Sequence, residues 1–202
     1  MSRKLMFGFM KGFIGVFVIS LLVLSNYGTA RAEDKTDNVD MSAIMSALNG
    51  KTITDGETIN VNDNLRIECK VTVETISGSA PVSKDSSLSN VAATGSTTKI
   101  YNGNCSCYYN NVLVATIKHS LTIINYDSGL VHISSGSLTA TPNSSSWTTS
   151  TYGYSIANTD GSYSSAIGTA KLTSSSLGKS AFYNCTAAVN PGKEPIFTFV
   201  QY

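Results

Sequence analysis

The amino-acid sequence predicts an all-β protein: an antiparallel β-sandwich of about seven to nine strands, with one short N-terminal helix and disulfide bridges between strands. Three observations predict this fold. Apolar and polar residues alternate in several short segments after residue 52, turn residues separate these segments, and four cysteines lie in the same part of the chain. Segments so close together favour antiparallel pairing, because parallel strands need long crossover connections.

Residues 1–32 have the three-part pattern of a cleaved secretory signal peptide. Basic side chains precede an uncharged, mostly apolar run over 12–24, and Ala30 and Ala32 are the small residues that a signal peptidase recognises. As a helix, this run would extend about 20 Å, short of the roughly 30 Å of a bilayer core. We therefore expect a secreted protein with no stable transmembrane anchor after cleavage.

The charge distribution argues against nucleic-acid binding. The chain has 14 Lys and Arg and 13 Asp and Glu residues, a net charge of +1. Four of these basic residues and none of the acidic ones lie in 1–32, so residues 33–202 carry a net charge of about −3. That segment lacks the basic excess that displaces counterions from phosphates. The chain after residue 86 is nearly neutral, rich in Ser and Thr, and contains most of the aromatic residues.

Residues 33–51 are predicted to form a short helix and a linker. Asp40 fits the N-cap and Gly50 fits the position after the helix end. One helical stripe is apolar and consists of Met41, Ile44, Met45 and Leu48. A helix this short is unstable alone and must dock on another element. It either covers the end of a sheet or serves as a pro-segment or partner-binding helix.

Residues 52–202 are predicted to form the sandwich. The clearest strand is 65–73, where Cys69 lies on the apolar face. Further predicted strands are 100–109, 112–126, 130–133, 165–172, 181–189 and 196–202, with turns at 110–111, 127–129 and 190–192. Residues 78–98 favour a long loop or a weak hairpin. The Ser- and Thr-rich segment 134–155 favours a polar loop.

The four cysteines, Cys69, Cys105, Cys107 and Cys185, predict two disulfides in an exported chain. Cys105 and Cys107 would point the same way on a strand and are poorly placed to bond each other. We therefore expect Cys69 and Cys185 each to bond one of them, with the choice open. The alternative, a metal site of Cys105, Cys107, His119 and His132, matches no established zinc spacing.

Catalytic patterns are absent from the sequence, and we expect no enzyme activity, cofactor or metal. No G-x-S-x-G motif accompanies the many serines, and His119 and His132 lie within apolar strand patterns. Glycoside hydrolysis needs two carboxylates across one cleft. In the aromatic half, Asp127, Asp160 and Glu194 each fall in a turn, which explains them without catalysis.

Four aromatic residues in the polar segment, Trp147, Tyr152, Tyr154 and Tyr163, are the candidate ligand-binding residues. Aromatic rings on a polar surface suit stacking on a glycan, on a cell-envelope component or on another protein, because they give a large contact area at low entropic cost. In the alternative interpretation, Trp147 packs into the core and the tyrosines cover an edge.

In its signal and its composition, the chain resembles small exported β proteins of Gram-positive bacteria, without a motif of any named family. The sequence thus predicts a secreted, non-catalytic binding or interaction module at the cell surface. The alternative is a secreted toxin or antimicrobial protein that acts on the envelope of other cells. Small apolar residues alternate with Ser and Thr over 163–173, as in hairpins that insert into membranes.

Overall fold

The computed structural model describes residues 39–76 and 95–200. The predicted signal peptide and most of the predicted loop over 78–98 lie outside these residues. One helix and nine strands are described: α1 (Met41–Leu48), β1 (Thr58–Asn60), β2 (Leu65–Ile76), β3 (Ser96–Tyr109), β4 (Val112–Tyr126), β5 (Val131–Pro142), β6 (Thr148–Thr159), β7 (Tyr163–Ser174), β8 (Lys179–Val189) and β9 (Ile196–Val200). The predicted all-β class with one short helix is confirmed for this part of the chain.

The strands form two antiparallel sheets in chain order. The first sheet has the order β1-β2-β3-β4-β5 and the second β6-β7-β8-β9. Asn110 and Asn111 have φ angles of 49° and 65° and join β3 to β4 as a two-residue turn, as predicted. Asparagine tolerates this left-handed conformation, which matches the twist of a hairpin. From β3 onward, two to six residues join each strand to the next.

The prediction of a polar loop over 134–155 is wrong. Strand β5 continues to Pro142 and β6 begins at Thr148, so only five residues connect them. Leu138 and Ala140 occupy alternate positions of β5 and are buried, which gives the strand an apolar face. Threonine is β-branched and fits an extended backbone, so a Ser- and Thr-rich segment forms a strand once that face has a partner.

Helix α1 has the predicted cap and the predicted buried stripe. The Asp40 carboxylate accepts a hydrogen bond of 3.0 Å from the backbone N–H of Ser42, and Gly50 follows the helix with a φ of +73°. The hydroxyl of Tyr183 in β8 donates a 2.7 Å hydrogen bond to the carbonyl of Met41. This bond and the buried stripe dock the short helix on the second sheet. In the described residues, no helix has the length and apolar content needed to cross a membrane.

Side chains from the two sheets contact each other in one core. The imidazole of His119 in β4 lies 5.3 Å from the ring of Phe197 in β9, measured between centroids. A Cβ at Gly103 in β3 would lie 3.0 Å from the same ring, so glycine permits this approach. On the free edge of β9, the N–H of Ile53 donates to the carbonyl of Phe197 at 2.8 Å. The segment before β1 thereby covers an edge that could otherwise pair with another chain.

Candidate ligand-binding patch

The structure separates the four aromatic residues that the sequence proposes for binding. Trp147 is only 3% exposed and belongs to the core, as the alternative interpretation predicts. Tyr154 is half-buried, and its hydroxyl oxygen lies 2.8 Å from Nε2 of His119. Tyr152 and Tyr163 are 68% and 39% exposed. Only these last two are exposed enough to stack on a ligand.

Tyr152 and Tyr163 lie near opposite ends of the β6–β7 ladder. Tyr163 pairs with Thr159 at the hairpin turn, while Tyr152 lies next to Gly153, which pairs with Thr169. Six residues of extended strand correspond to about 20 Å. The structure therefore does not bring the four predicted residues together as one surface.

Tyr152 instead contacts Phe182, which is not among the four aromatic residues that the sequence proposes. Their ring centroids are 5.6 Å apart with an interplanar angle of 88°, an edge-to-face arrangement. Phe182 is 41% exposed, and Nζ of Lys171 lies 5.1 Å from its ring centroid. These three side chains, Tyr152, Phe182 and Lys171, are called the aromatic patch below. Phe182 could be found from the sequence because it stands at an outward position of β8, between the inward Ala181 and Tyr183.

A β-bulge in β6 exposes Tyr152. Residues 152 and 154 would point to the same face of a regular strand, because side chains alternate with a period of two. Thr151 pairs with Ala170 and Gly153 with Thr169, so Tyr152 is the extra residue between them. A bulge of this kind redirects a side chain. Tyr152 thus reaches Phe182 on the outer face, while Tyr154 points into the core.

The surroundings of the aromatic patch are polar but nearly uncharged. The Thr169 hydroxyl donates a 2.7 Å hydrogen bond to Oδ1 of Asn184 on the neighbouring strand. The Ser150 hydroxyl donates to the carbonyl of Lys171 at 3.4 Å. Strands β6 to β9 contain no Asp or Glu, and Lys171 and Lys179 are their only basic residues. The outer face of this sheet offers rings, hydroxyls and amides to a ligand.

His119 lies inside the core and not at a surface where a substrate could bind. Its side chain is fully buried, and burial lowers the pKa of the imidazole to about 4. Burial also raises the pKa of the Tyr154 phenol. Both groups are therefore neutral at pH 7, and the hydrogen bond between them joins β4 to β6. Nδ1 of His119 has no hydrogen-bond partner among the described residues.

The four cysteines are buried free thiols in this structure, so the two predicted disulfides are not formed. Sγ of Cys69 and Sγ of Cys105 are 3.4 Å apart, whereas a disulfide bond is about 2.05 Å long. Cys107 pairs along the sheet with Ile67 and Ala115, so no cysteine lies beside it on a neighbouring strand. The predicted bridge from Cys185 to Cys105 or Cys107 would have to cross from the second sheet to the first, and it is not formed either.

Open hollows also lie elsewhere on the described surface. A groove of about 710 Å³ runs between α1 and β1. A cleft of about 560 Å³ is lined by Lys99, Lys193, Asp127 and Glu194, so its charges balance. Asp127 and Glu194 share this cleft, which their separate turns in the sequence do not reveal. In the described residues, no group of three His, Cys, Asp or Glu side chains is placed to hold a metal ion.

No protein-family model, curated protein or solved structure matches this chain. Its function is therefore inferred from the geometry and chemistry of its own side chains. Of the surfaces described, the aromatic patch combines the most exposed ring with polar neighbours on adjacent strands.

Proposed function

We propose that the protein is a secreted, non-catalytic β-sandwich module that binds a neutral glycan of the cell envelope through its aromatic patch. The observation that carries this proposal is the contact between the exposed rings of Tyr152 and Phe182 on a sheet without carboxylates. No covalent chemistry is needed for this function. The patch only has to hold the ligand.

The exposure of Tyr152 supports a binding role. A ring that is 68% exposed leaves a large apolar area in water, and burying such an area against a ligand is favourable. The C–H faces of a sugar ring are apolar enough to stack on an aromatic ring, while its hydroxyls require hydrogen-bonding partners. Thr169 and Asn184 lie on the same outer face and carry such groups.

The patch is held by three adjacent strands, which lowers the entropic cost of binding. Lys171 and Phe182 are direct partners across β7 and β8. Phe182 in turn packs against Tyr152 on β6, so three adjacent strands fix the arrangement. Side chains ordered before the ligand arrives lose little freedom on binding.

The low charge density of the second sheet suits a neutral ligand. Lys171 contributes the single positive charge of the patch, and its ammonium group is placed over the ring of Phe182. This cation–π contact already partners the charge. The cleft is a weaker candidate, because its rings give less area to a sugar: Tyr101 is only 4% exposed and Tyr126 is half-buried.

Separate observations support the sandwich arrangement and the secretion of the protein. The contacts of Phe197 with His119 and Gly103 across the two sheets support a sandwich arrangement. The basic, apolar and small-residue pattern of residues 1–32 supports export. A secreted module of this kind would meet glycans at a cell surface.

A glycan array and a pulldown with purified cell walls test the proposal. The proteins are the wild type, Tyr152→Ala, Phe182→Ala and the control Tyr163→Ala, which removes another exposed tyrosine of the same sheet. We expect the wild type and the control to bind neutral glycans and the two patch variants to lose binding. Equal binding by all four proteins, or none by the wild type, would overturn the proposal. Dye release from lipid vesicles without glycan binding would favour the toxin alternative.

A further inference from the structure

Cys69 and Cys105 are a matched pair across two neighbouring strands. They are direct partners in the register of β2 and β3, and both point into the core. Their sulfur atoms are 3.4 Å apart. This juxtaposition, and not the even number of cysteines, is what distinguishes them from the other two.

The backbone hydrogen bonds of Cys69 show which of the two kinds of antiparallel pair it forms with Cys105. The N–H of Cys69 donates to the carbonyl of Glu57 at 2.8 Å, and the carbonyl of Cys69 accepts from the N–H of Gly56 at 3.0 Å. Both backbone groups of Cys69 thus point away from β3. Cys69 and Cys105 therefore form a non-hydrogen-bonded pair, in which the Cα atoms are about 4.5 Å apart and the side chains approach closely. Disulfides span Cα distances of about 4.4–6.8 Å, so the backbone already fits a bond.

The other two cysteines have no such partner. Cys107 lies opposite Ile67 on β2, and Cys185 on β8 lies opposite Gly168 and Phe199. All four cysteines are buried, so the register across neighbouring strands, and not burial, separates these two from Cys69 and Cys105.

We infer that Cys69 and Cys105 form a single cross-strand disulfide when the chain meets an oxidising disulfide compound, while Cys107 and Cys185 stay reduced. This inference is independent of the proposed glycan binding. It replaces the two bridges that the cysteine count predicts with one bridge of defined pairing.

Cys69 attacks first, because it is slightly exposed whereas Cys105 is fully buried. The hydrogen bond with the Cys105 thiol lowers the pKa of Cys69, and the same interaction raises that of Cys105. The Cys69 thiolate displaces one sulfur of glutathione disulfide, forming a mixed disulfide and releasing one glutathione. Cys105 then attacks the Cys69 sulfur and releases the second glutathione. The two protein thiols lose two electrons and two protons, and glutathione disulfide is reduced to two thiols.

The test is to refold the full chain from denaturant in a glutathione redox buffer, where disulfides exchange until the most stable pairing remains. Free thiols are alkylated, the bridges are reduced, and the new thiols receive a second label of different mass. Peptide mass mapping should place the first label on Cys107 and Cys185 and the second on Cys69 and Cys105. Four thiols with the first label would overturn the inference, as would a bridge that includes Cys107 or Cys185.

Two variants make the pairing test independent of the wild-type result. Cys107→Ala with Cys185→Ala should keep the bridge, with no free thiol left to label. Cys69→Ala should leave all three remaining cysteines reduced. A bridge between Cys105 and Cys185 in that variant would contradict the inference that Cys185 stays reduced. If a variant fails to fold, the wild-type map alone decides the pairing.

Discussion

Nε2 of His119 lies 2.8 Å from the hydroxyl oxygen of Tyr154, and this contact joins β4 of the first sheet to β6 of the second. Gly136 and Gly168 leave the space that the Tyr154 ring occupies, since a Cβ at either position would overlap the ring. With Tyr154 held inside, the neighbouring bulge places Tyr152 outside. A buried contact thus supports the geometry of the exposed aromatic patch.

The limited space around Tyr154 predicts that two glycine substitutions differ strongly in their effect on stability. In Gly168→Ala, the new Cβ would lie 2.5 Å from Cβ of Leu138 and 2.9 Å from the Tyr154 ring. We expect this overpacking to lower the free energy of unfolding by about 1–3 kcal/mol. Gly153→Ala is the matched control, because its Cβ would meet nothing within 4 Å. Urea unfolding of both variants checks the prediction, and equal stabilities would contradict it.

The burial of His119 predicts that stability falls as the pH decreases from 6.5 to about 4. Burial lowers the pKa of the folded-state imidazole from 6.5 to about 4, so in this range the unfolded chain binds a proton that the folded chain does not. The stabilisation of the folded state that results from this pKa difference is fully present above pH 6.5 and amounts to about 3 kcal/mol. Urea unfolding at several pH values between 4 and 7 measures it.

The matched variant for this pH dependence is His119→Gln, which can still form a hydrogen bond but cannot titrate. Its stability should change much less between pH 6.5 and 4 than that of the wild type. Hydrogen bonds from Ser42 and Ser162 lower the pKa values of Asp40 and Asp160, so the stabilisation from these carboxylates is lost mainly below pH 4 and to the same extent in both proteins. Parallel pH profiles for the two proteins would show that His119 is not the group responsible.

Trp147 is the only tryptophan of the chain, and its burial predicts a distinctive fluorescence. Emission from the folded protein should be blue-shifted relative to the unfolded chain and resistant to quenching by iodide. Trp147→Ala should lower the free energy of unfolding by about 3–5 kcal/mol, because it removes a buried aromatic side chain. Below the unfolding temperature of this variant, glycan affinity should match the wild type. Emission like that of free tryptophan would contradict the core position.

The inferred disulfide predicts a stability difference between oxidised and reduced protein. Cys69 and Cys105 are 36 positions apart, and closing a loop of that size stabilises the folded state by about 4 kcal/mol in the chain-entropy model. Urea unfolding with and without a reducing agent measures the difference. The Cys69→Ala variant is the control, since its stability should not depend on the reducing agent.

Local patterns predict much of this fold. The capped stripe of α1, the alternation that places Cys69 inward and the paired asparagines of the β3–β4 turn are all readable from the sequence. In each case, the signal lies in residues close together in the sequence. The strands at 134–142 and 148–159 cannot be read in this way, because Ser and Thr fit strands and loops alike until an apolar face finds a partner.

The aromatic patch and the cysteine pair depend on register, which a single sequence does not contain. Tyr152 and Phe182 are 30 positions apart and meet only because of a bulge in β6. Trp147, the most conspicuous aromatic residue of the segment, is buried instead. The sequence supplies four cysteines, but the pairing of β2 with β3 decides that Cys69 faces Cys105.

The affinity of the wild type and of Tyr152→Ala for one neutral glycan selected on the array tests the central claim most directly. Titration calorimetry at pH 7 should give a dissociation constant about tenfold higher, or more, for Tyr152→Ala than for the wild type. A loss of this size is typical when a dominant aromatic contact is removed. Tyr163→Ala should bind like the wild type, and thermal unfolding should show that all three proteins are folded. Equal affinity of the wild type and Tyr152→Ala would contradict the assignment of glycan binding to the aromatic patch.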